Sequence, residues 1–216
     1  MSLRRRLRKS LWINQNNKLK AKRRDRWIPP FYEVNKLSTI ETPRLVLRPL
    51  CAEDLADFYE YAKNPKVGPD AGWKPHESLE ETRGYLEEFY KLEDVWAIAA
   101  HENGKMIGSI GLIEDEKRRN DAVRMLGYSL AEPAWGKGYM TEAARAVLRY
   151  GFDVLGLALI SAYHYPDNHR SQRVIEKCGF RYEGRQRQAE VLFNGRICDE
   201  LLYSITRDEY RAFADV

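Results

Sequence analysis

The order of local patterns predicts an α+β domain built on a central, mostly antiparallel sheet. Two Asn-Gly pairs, at 103–104 and 194–195, each sit between β-patterned runs, a strong hairpin signal. Segments with helical apolar spacing, near 139–152 and 168–178, stand between those hairpins, without the regular strand–helix alternation of a parallel sheet. The composition fits one domain plus a modest extension: 216 residues, 44% hydrophobic and 31% charged.

Residues 1–39 read as a basic extension and linker, and 40–216 as the domain. Eleven of the first 26 residues are Lys or Arg against one acid, Asp25, although the net charge of the whole chain is only +4. The domain itself is therefore acidic, and any nucleic-acid or ribosome contact is expected to be weak and to come only from the tail, at residues 4–26. Leu45, Leu47 and Pro49 alternate with Arg44, Val46 and Arg48 as in an edge strand. Leu55, Phe58, Tyr59 and Ala62 have helical spacing, stopped by Asn64-Pro65. Ser78 stands three residues before Glu81, a capping-box start for a helix reaching about Leu92.

Strands are expected at 95–100 and 106–113 around the first Asn-Gly turn, then at 122–130. In that last strand Val123 and Met125 share one parity while Leu126, Tyr128 and Leu130 share the other. The change of phase predicts a β-bulge beside Gly127, which would free backbone groups for a ligand. A helix follows from about Tyr139, with Met140, Ala144, Val147, Leu148, Gly151 and Phe152 on its apolar face. A short strand at 160–165, a helix ended by Gly179 and two strands around the second Asn-Gly turn complete the order.

Several classes are excluded. The longest apolar run, 154–160, falls far short of the roughly 20 residues of a membrane span. Cys51, Cys178 and Cys198 form no CxxC pair, so neither a disulfide framework nor a metal site is expected. Without an apolar core behind the basic start no secretory signal is read, and the expected location is cytoplasmic.

The segment WGKGYMTEA (135–143) runs from a Gly-rich turn into a helix. Gly136 and Gly138 fit either a plain tight turn or a phosphate cradle, because helix-start amides point outward and glycine removes Cβ from the approach. A Walker loop is excluded, since Gly138 follows Lys137, and a dinucleotide fingerprint is excluded by Thr141.

The element order, WGKGYMTEA, NHRSQRVIEKCGF (168–180), YEG (182–184) and RQAEVLFNGRICDELLYS (187–204) together resemble the GNAT superfamily of acetyl-CoA-dependent N-acetyltransferases. The resemblance covers roughly 40–213 and lies closest to the Rim-type branch, which includes ribosomal-protein N-terminal acetyltransferases. It implies the GNAT fold, with two splayed strands forming an acetyl-CoA cleft. The superfamily's Gln/Arg-x-x-Gly-x-Gly/Ala pyrophosphate motif falls on 135–140, where Gly138 matches and Trp135 and Met140 depart. The implied cofactor-binding residues are Gly136, Lys137, Gly138, Tyr139, Met140 and Thr141. Leu130 would offer its N–H to the thioester carbonyl, and Asn168 would bond the pantetheine besides capping its own helix.

The resemblance also implies Glu190 as general base and Ser171 as the acid that protonates the coenzyme A thiolate. His164 is a rival base. Trp73, His76, Tyr85 and Phe193 are candidates for lining the acceptor side. The expected reaction is acetyl transfer from acetyl-CoA to a primary amine, foremost a protein N-terminal α-amine, by direct attack in a ternary complex. A small-molecule amine (polyamine or aminoglycoside) and non-enzymatic association through the basic tail are the alternatives. An acidic cleft would favour the polyamine or aminoglycoside, a narrow neutral slot the peptide terminus. The chain is expected as a monomer or homodimer.

Overall fold

A computed structural model describes residues 37–92 and 94–214, and the basic segment 4–26 with its expected contacts lies outside them. Among the described residues eight strands form one sheet: β1 (Ile40–Glu41), β2 (Leu45–Pro49), β3 (Val95–Ala100), β4 (Met106–Ile113), β5 (Val123–Leu130), β6 (Leu159–His164), β7 (Arg181–Val191) and β8 (Ile197–Thr206). Their order across the sheet is β1-β2-β3-β4-β5-β6-β8-β7. Every neighbouring pair is antiparallel except β5–β6. Leu45 and Leu47 are buried as the alternation requires, but β2 is not the edge, because the two-residue β1 pairs outside it.

Helices cover both faces. On one side α1 (Leu55–Ala62) and α2 (Leu79–Leu92) pack Phe58, Tyr61, Leu86 and Phe89 against Val95, Ala97 and Met106. Ser78 Oγ accepts the Glu81 N–H at 3.1 Å, the forward half of the expected capping box, while Glu81 reaches back to the Glu77 N–H instead of that of Ser78. On the other side α3 (Tyr139–Arg149) buries Met140, Ala144, Val147 and Leu148, and a π turn over Tyr150–Val154 buries Gly151 and Phe152. A side chain at Gly151 would meet Ile160 Cδ1 at 2.7 Å, so glycine there lets the end of this helix lie on the sheet. α4 (His169–Lys177) follows β6, and α5 (Arg207–Ala214), an element the sequence reading left out, stacks Tyr210 on Phe152 at 4.8 Å.

Covering both faces corrects one expectation. No residue is inserted at Gly127: the β4–β5 register runs unbroken from Gly108↔Leu130 to Ile113↔Met125. Met125 packs toward α1 and α2, and Leu126, Tyr128 and Leu130 toward α3 and α4. Apolar side chains of either parity find a core, so the change of phase needs no bulge. The irregularity lies one strand over, where Ile98 and Ala99 face Gly108 and Met106 and leave Ile107 as the extra residue.

β5 and β6 part for another reason. Their parallel pairing covers only Val123–Met125 against Leu159–Ser161. Beyond it β5 stays with β4 to Leu130, whereas β6 stays with β8 to His164. Each keeps its antiparallel partner, and a wedge opens between them.

Candidate active site

The wedge exposes a row of backbone groups. Ala131 N–H donates to the Ile107 carbonyl at 2.8 Å, so the odd-numbered residues of β5 bond to β4. The even-numbered ones face β6, as the bond from Ala158 N–H to the Ala122 carbonyl shows. The amides of Tyr128 and Leu130 therefore turn into the wedge, beyond the Met125–Ser161 pair that takes up the Leu126 amide. The Leu130 carbonyl is taken by Trp135 Nε1 at 2.7 Å, and the Arg170 guanidinium lies 4.0 Å over that indole. Trp135 thus braces the strand end, a use of the position that the motif did not foretell.

Past Trp135 the chain makes two left-handed steps, with φ of +74° at Gly136 and +81° at Gly138, and enters α3 at Tyr139. The first bond of that helix runs from Glu142 N–H to the Gly138 carbonyl, so the amides of Tyr139, Met140 and Thr141 have no acceptor within the helix. The Met140 side chain is buried in the core, which leaves only its amide on this end. Arg44 holds the loop from outside: it donates to the Lys137 carbonyl at 2.9 Å, pairs with Glu142 at 2.7 Å and lies over the Tyr139 ring. Unbonded strand amides followed by a Cβ-free helix start fit an extended acyl-carrying arm ending in a pyrophosphate.

A cleft of about 290 Å³ runs through the wedge and joins the two faces of the sheet. Ser171, Asn168, His164 and Glu190 all line it, as do Trp73, His76 and Tyr85, whereas Phe193 does not. Leu130 and residues 136–141 lie outside this cleft, further along β5 and at the start of α3.

On the α4 face, Ser171 Oγ is 2.8 Å from the Tyr128 hydroxyl, and Asn168 Oδ1 caps the Ser171 N–H at 3.0 Å. The Asn168 amide also donates to the Asp70 carbonyl at 2.8 Å, which ties α4 to the loop before α2. Burial pushes the Tyr128 phenol well above its ordinary range, so it stays protonated beside Ser171. His164 belongs to this face too, its ring tilted against Tyr203 at 5.3 Å and its Nδ1 donating to the Tyr165 carbonyl at 2.8 Å. Its Nε2 is buried without a hydrogen-bond partner, and desolvation lowers its pKa.

Glu190 stands on the opposite face, with Trp73, His76 and Tyr85. Its position depends on an irregular stretch of β7. Gln186 pairs with Glu200 and Glu190 with Cys198, so two extra residues loop out between them, with Gln188 at φ +51°. The Tyr165 hydroxyl donates to Glu190 Oε2 at 2.6 Å, while Oε1 is buried without a hydrogen-bond partner. Desolvation first, and Glu200 nearby, raise the Glu190 pKa above the carboxylate norm, against the Tyr165 hydrogen bond and Lys117, which lower it. His76 stacks on Tyr85 at 4.6 Å, and burial drops its pKa to about 4, which leaves the ring neutral.

The cleft wall is acidic. Asp70, Glu114, Asp115, Glu116, Glu190 and Glu200 line it against a single cation, Lys117, itself paired with Glu200 at 2.7 Å. Asp115 anchors the wall: at 2% exposure it accepts from Ser161 Oγ at 2.6 Å, the Tyr163 hydroxyl at 2.5 Å and the Lys117 N–H at 2.9 Å, and pairs with Arg118 at 3.2 Å. Asp115→Ala strands all these donors and is expected to cost about 3 kcal/mol, read as a lower urea midpoint at unchanged slope. Sequence reading missed Asp115, Tyr128 and Tyr165. The alternation of Ser161, Tyr163 and Tyr165 along β6 was the only available hint, and it names no partner.

Comparison with known proteins agrees with this geometry. The Acetyltransferase (GNAT) domain family matches residues 44–181. "Uncharacterized N-acetyltransferase YoaA" of Bacillus subtilis (strain 168) is 31% identical over 175 residues, 78% of this chain and 96% of that protein. A GNAT-family acetyltransferase structure from Bacillus anthracis superposes with a TM-score of 0.72 at 25% identity, covering 79% of this chain and 99% of that one. Spermidine N-acetyltransferase from Vibrio cholerae, solved with CoA and spermine, shares the fold with a TM-score of 0.67 at 23% identity, covering 79% and 99%. With family pattern, fold and wedge in agreement, this chain belongs to the GNAT acetyltransferases, enzymes that transfer an acetyl group from acetyl-CoA.

Proposed function

We propose that the protein acetylates a primary amine on a small polycation, with a peptide α-amine as the lesser reading. The observation that carries this is the wall of six carboxylates facing one lysine inside the cleft. Arg118 and Arg170 offset Asp115 and Asp70 from outside the lining, and a surplus of negative charge remains. Such a wall draws in an acceptor bearing more than one ammonium, while the neutral rings of Trp73, His76 and Tyr85 fit the methylenes between charges.

In this reading acetyl-CoA supplies the activated acetyl group, and the chain's own residues hold it and move protons. The amides of Tyr139, Met140 and Thr141 cradle the pyrophosphate, Gly136, Lys137 and Gly138 shape that cradle, and Asn168 bonds the pantetheine. Leu130 N–H stabilises the negative charge that develops on the carbonyl oxygen, an effect worth roughly 3 kcal/mol in comparable sites. Glu190 takes the proton of the attacking amine. It is favoured over His164 because it shares the acceptor face, whereas His164 shares a face with Ser171. Ser171, with Tyr128 at its oxygen, returns a proton to the departing thiolate.

The test is acetyl transfer from labelled acetyl-CoA to spermine, an aminoglycoside and an Ala-initiated tetrapeptide. The expected kcat/KM for spermine exceeds that for the tetrapeptide by about tenfold or more, an advantage that shrinks with added salt. A tetrapeptide preference that is indifferent to salt would assign the cleft to protein termini.

A further inference from the structure

We propose that Tyr165 is a positioning residue for Glu190: its phenol fixes one carboxylate oxygen and aims the other, Oε1, at the incoming amine. The inference rests on Glu190 serving as the base. Tyr165 is only 8% exposed and is held from several sides. Its carbonyl accepts from His164 Nδ1 at 2.8 Å and from the Asn168 N–H at 2.9 Å, which pins the backbone where β6 ends. Its ring packs with Leu192 and Cys198 of the β7–β8 hairpin. Its hydroxyl lies so close to Gly72 that a Cβ there would stand 2.3 Å away, and Gly72 has the left-handed φ of +86° that suits glycine.

A donor held this firmly defines the carboxylate plane. An O–H donating to a carboxylate at 2.6 Å is a strong, charge-assisted bond, and a carboxylate free to rotate would present its reactive lone pair only part of the time. The loop in β7 brings Glu190 into the cleft, but the hydrogen bond from Tyr165 chooses which oxygen is left without a partner. The proton from the amine nitrogen goes to Oε1, and no proton leaves Tyr165, whose phenol burial keeps protonated.

The other groups near the carboxylate are Glu200 and Cys198 from β8 and Lys117 from the loop after β4. Glu200 opposes ionisation of Glu190 and Lys117 favours it. Among the described residues Tyr165 makes the one hydrogen bond to this carboxylate, and that bond favours the ionised form. Removing it must therefore raise the pH at which Glu190 loses its proton.

The experiment is a ¹³C NMR titration of the Glu190 carboxyl, assigned by its loss in Glu190→Gln, beside pH profiles of kcat/KM. Spermine is the acceptor, or the tetrapeptide if that is the one turned over. In Tyr165→Phe the titration midpoint and the acidic limb of the profile are expected to rise together by about one pH unit, a roughly tenfold loss below the limb, with a smaller loss that persists above it because the freed carboxylate is no longer aimed. Tyr165→difluorotyrosine keeps the ring and strengthens the donor, and is expected to move both downward, so the idea stays testable even if Tyr165→Phe folds poorly. A midpoint and limb that both stay where they are in Tyr165→Phe, or a midpoint that moves while the limb stays, overturns the positioning role. Full activity in Glu190→Gln overturns the base assignment itself, whereas a slow Glu190→Gln beside an unmoved limb in Tyr165→Phe overturns only the role of Tyr165.

Discussion

Glu190→Gln is expected to lower kcat by roughly 10²- to 10³-fold at pH 7, with the KM for acetyl-CoA within about twofold of the parent. The amide keeps the shape and an oxygen for Tyr165 but accepts no proton, so binding survives and proton removal does not. The pH dependence has a definite sign. As the proposed base Glu190 would work only when ionised, and burial holds its folded pKa above the carboxylate norm. Activity is therefore lost as pH falls through that raised value, starting nearer neutrality than an exposed glutamate would allow. The Gln variant should lose this limb and retain the dependence that belongs to the amine's own titration. Turnover unchanged at saturating acceptor would move the base to His164, whose Nε2 lacks a partner on the other face.

The second large effect is expected at Gly138. Valine there must adopt φ near +81°, a conformation costly for a β-branched residue, and its Cβ would lie 3.4 Å from the Arg44 guanidinium. The loop should relax away from its left-handed turn and spoil the alignment of the Tyr139, Met140 and Thr141 amides. We expect a rise in the acetyl-CoA Kd of about tenfold or more by calorimetry, with helix content kept. Met140→Ala separates backbone from side chain. It should cost about 2–3 kcal/mol in stability, because Met140 is buried under the sheet, and leave acetyl-CoA affinity unchanged because the amide remains. Equal affinities in the parent and Gly138→Val would remove the loop from the binding site.

How much was legible in advance follows from the range of each interaction. The hairpin turns were readable because Gly104 and Gly195 take φ of +69° and +88°, a demand met within a few residues. The start of α2 was readable because Ser78 and Glu81 are three residues apart. The Gly-rich turn into α3 was readable because its glycines and its helix are contiguous. The bulge beside Gly127 was misread because parity shows only that a side chain is apolar. It does not show that helices cover both faces and leave a core for either phase.

The catalytic surroundings were legible as residue types only. Glu190 and Ser171 entered through family resemblance, and neither carries a local signal that separates it from a solvated glutamate or a helix-cap serine. The hydrogen bond from Tyr165 to Glu190 spans 25 positions and depends on a β7 loop with no sequence signature. The ladder of donors on Asp115 joins it to Ser161, 46 positions away. Sequence by itself determined what can be settled within a turn or along one helix face: element order, caps, the glycine turn ahead of α3 and the family. Tertiary structure alone decided where β5 and β6 part, which face each candidate base occupies and how acidic the cleft is. The parting of the strands and the placing of the bases arise from partners brought together by folding, and the acidity of the cleft from joining Asp70, Glu190 and Glu200 to the contiguous charges of 114–117.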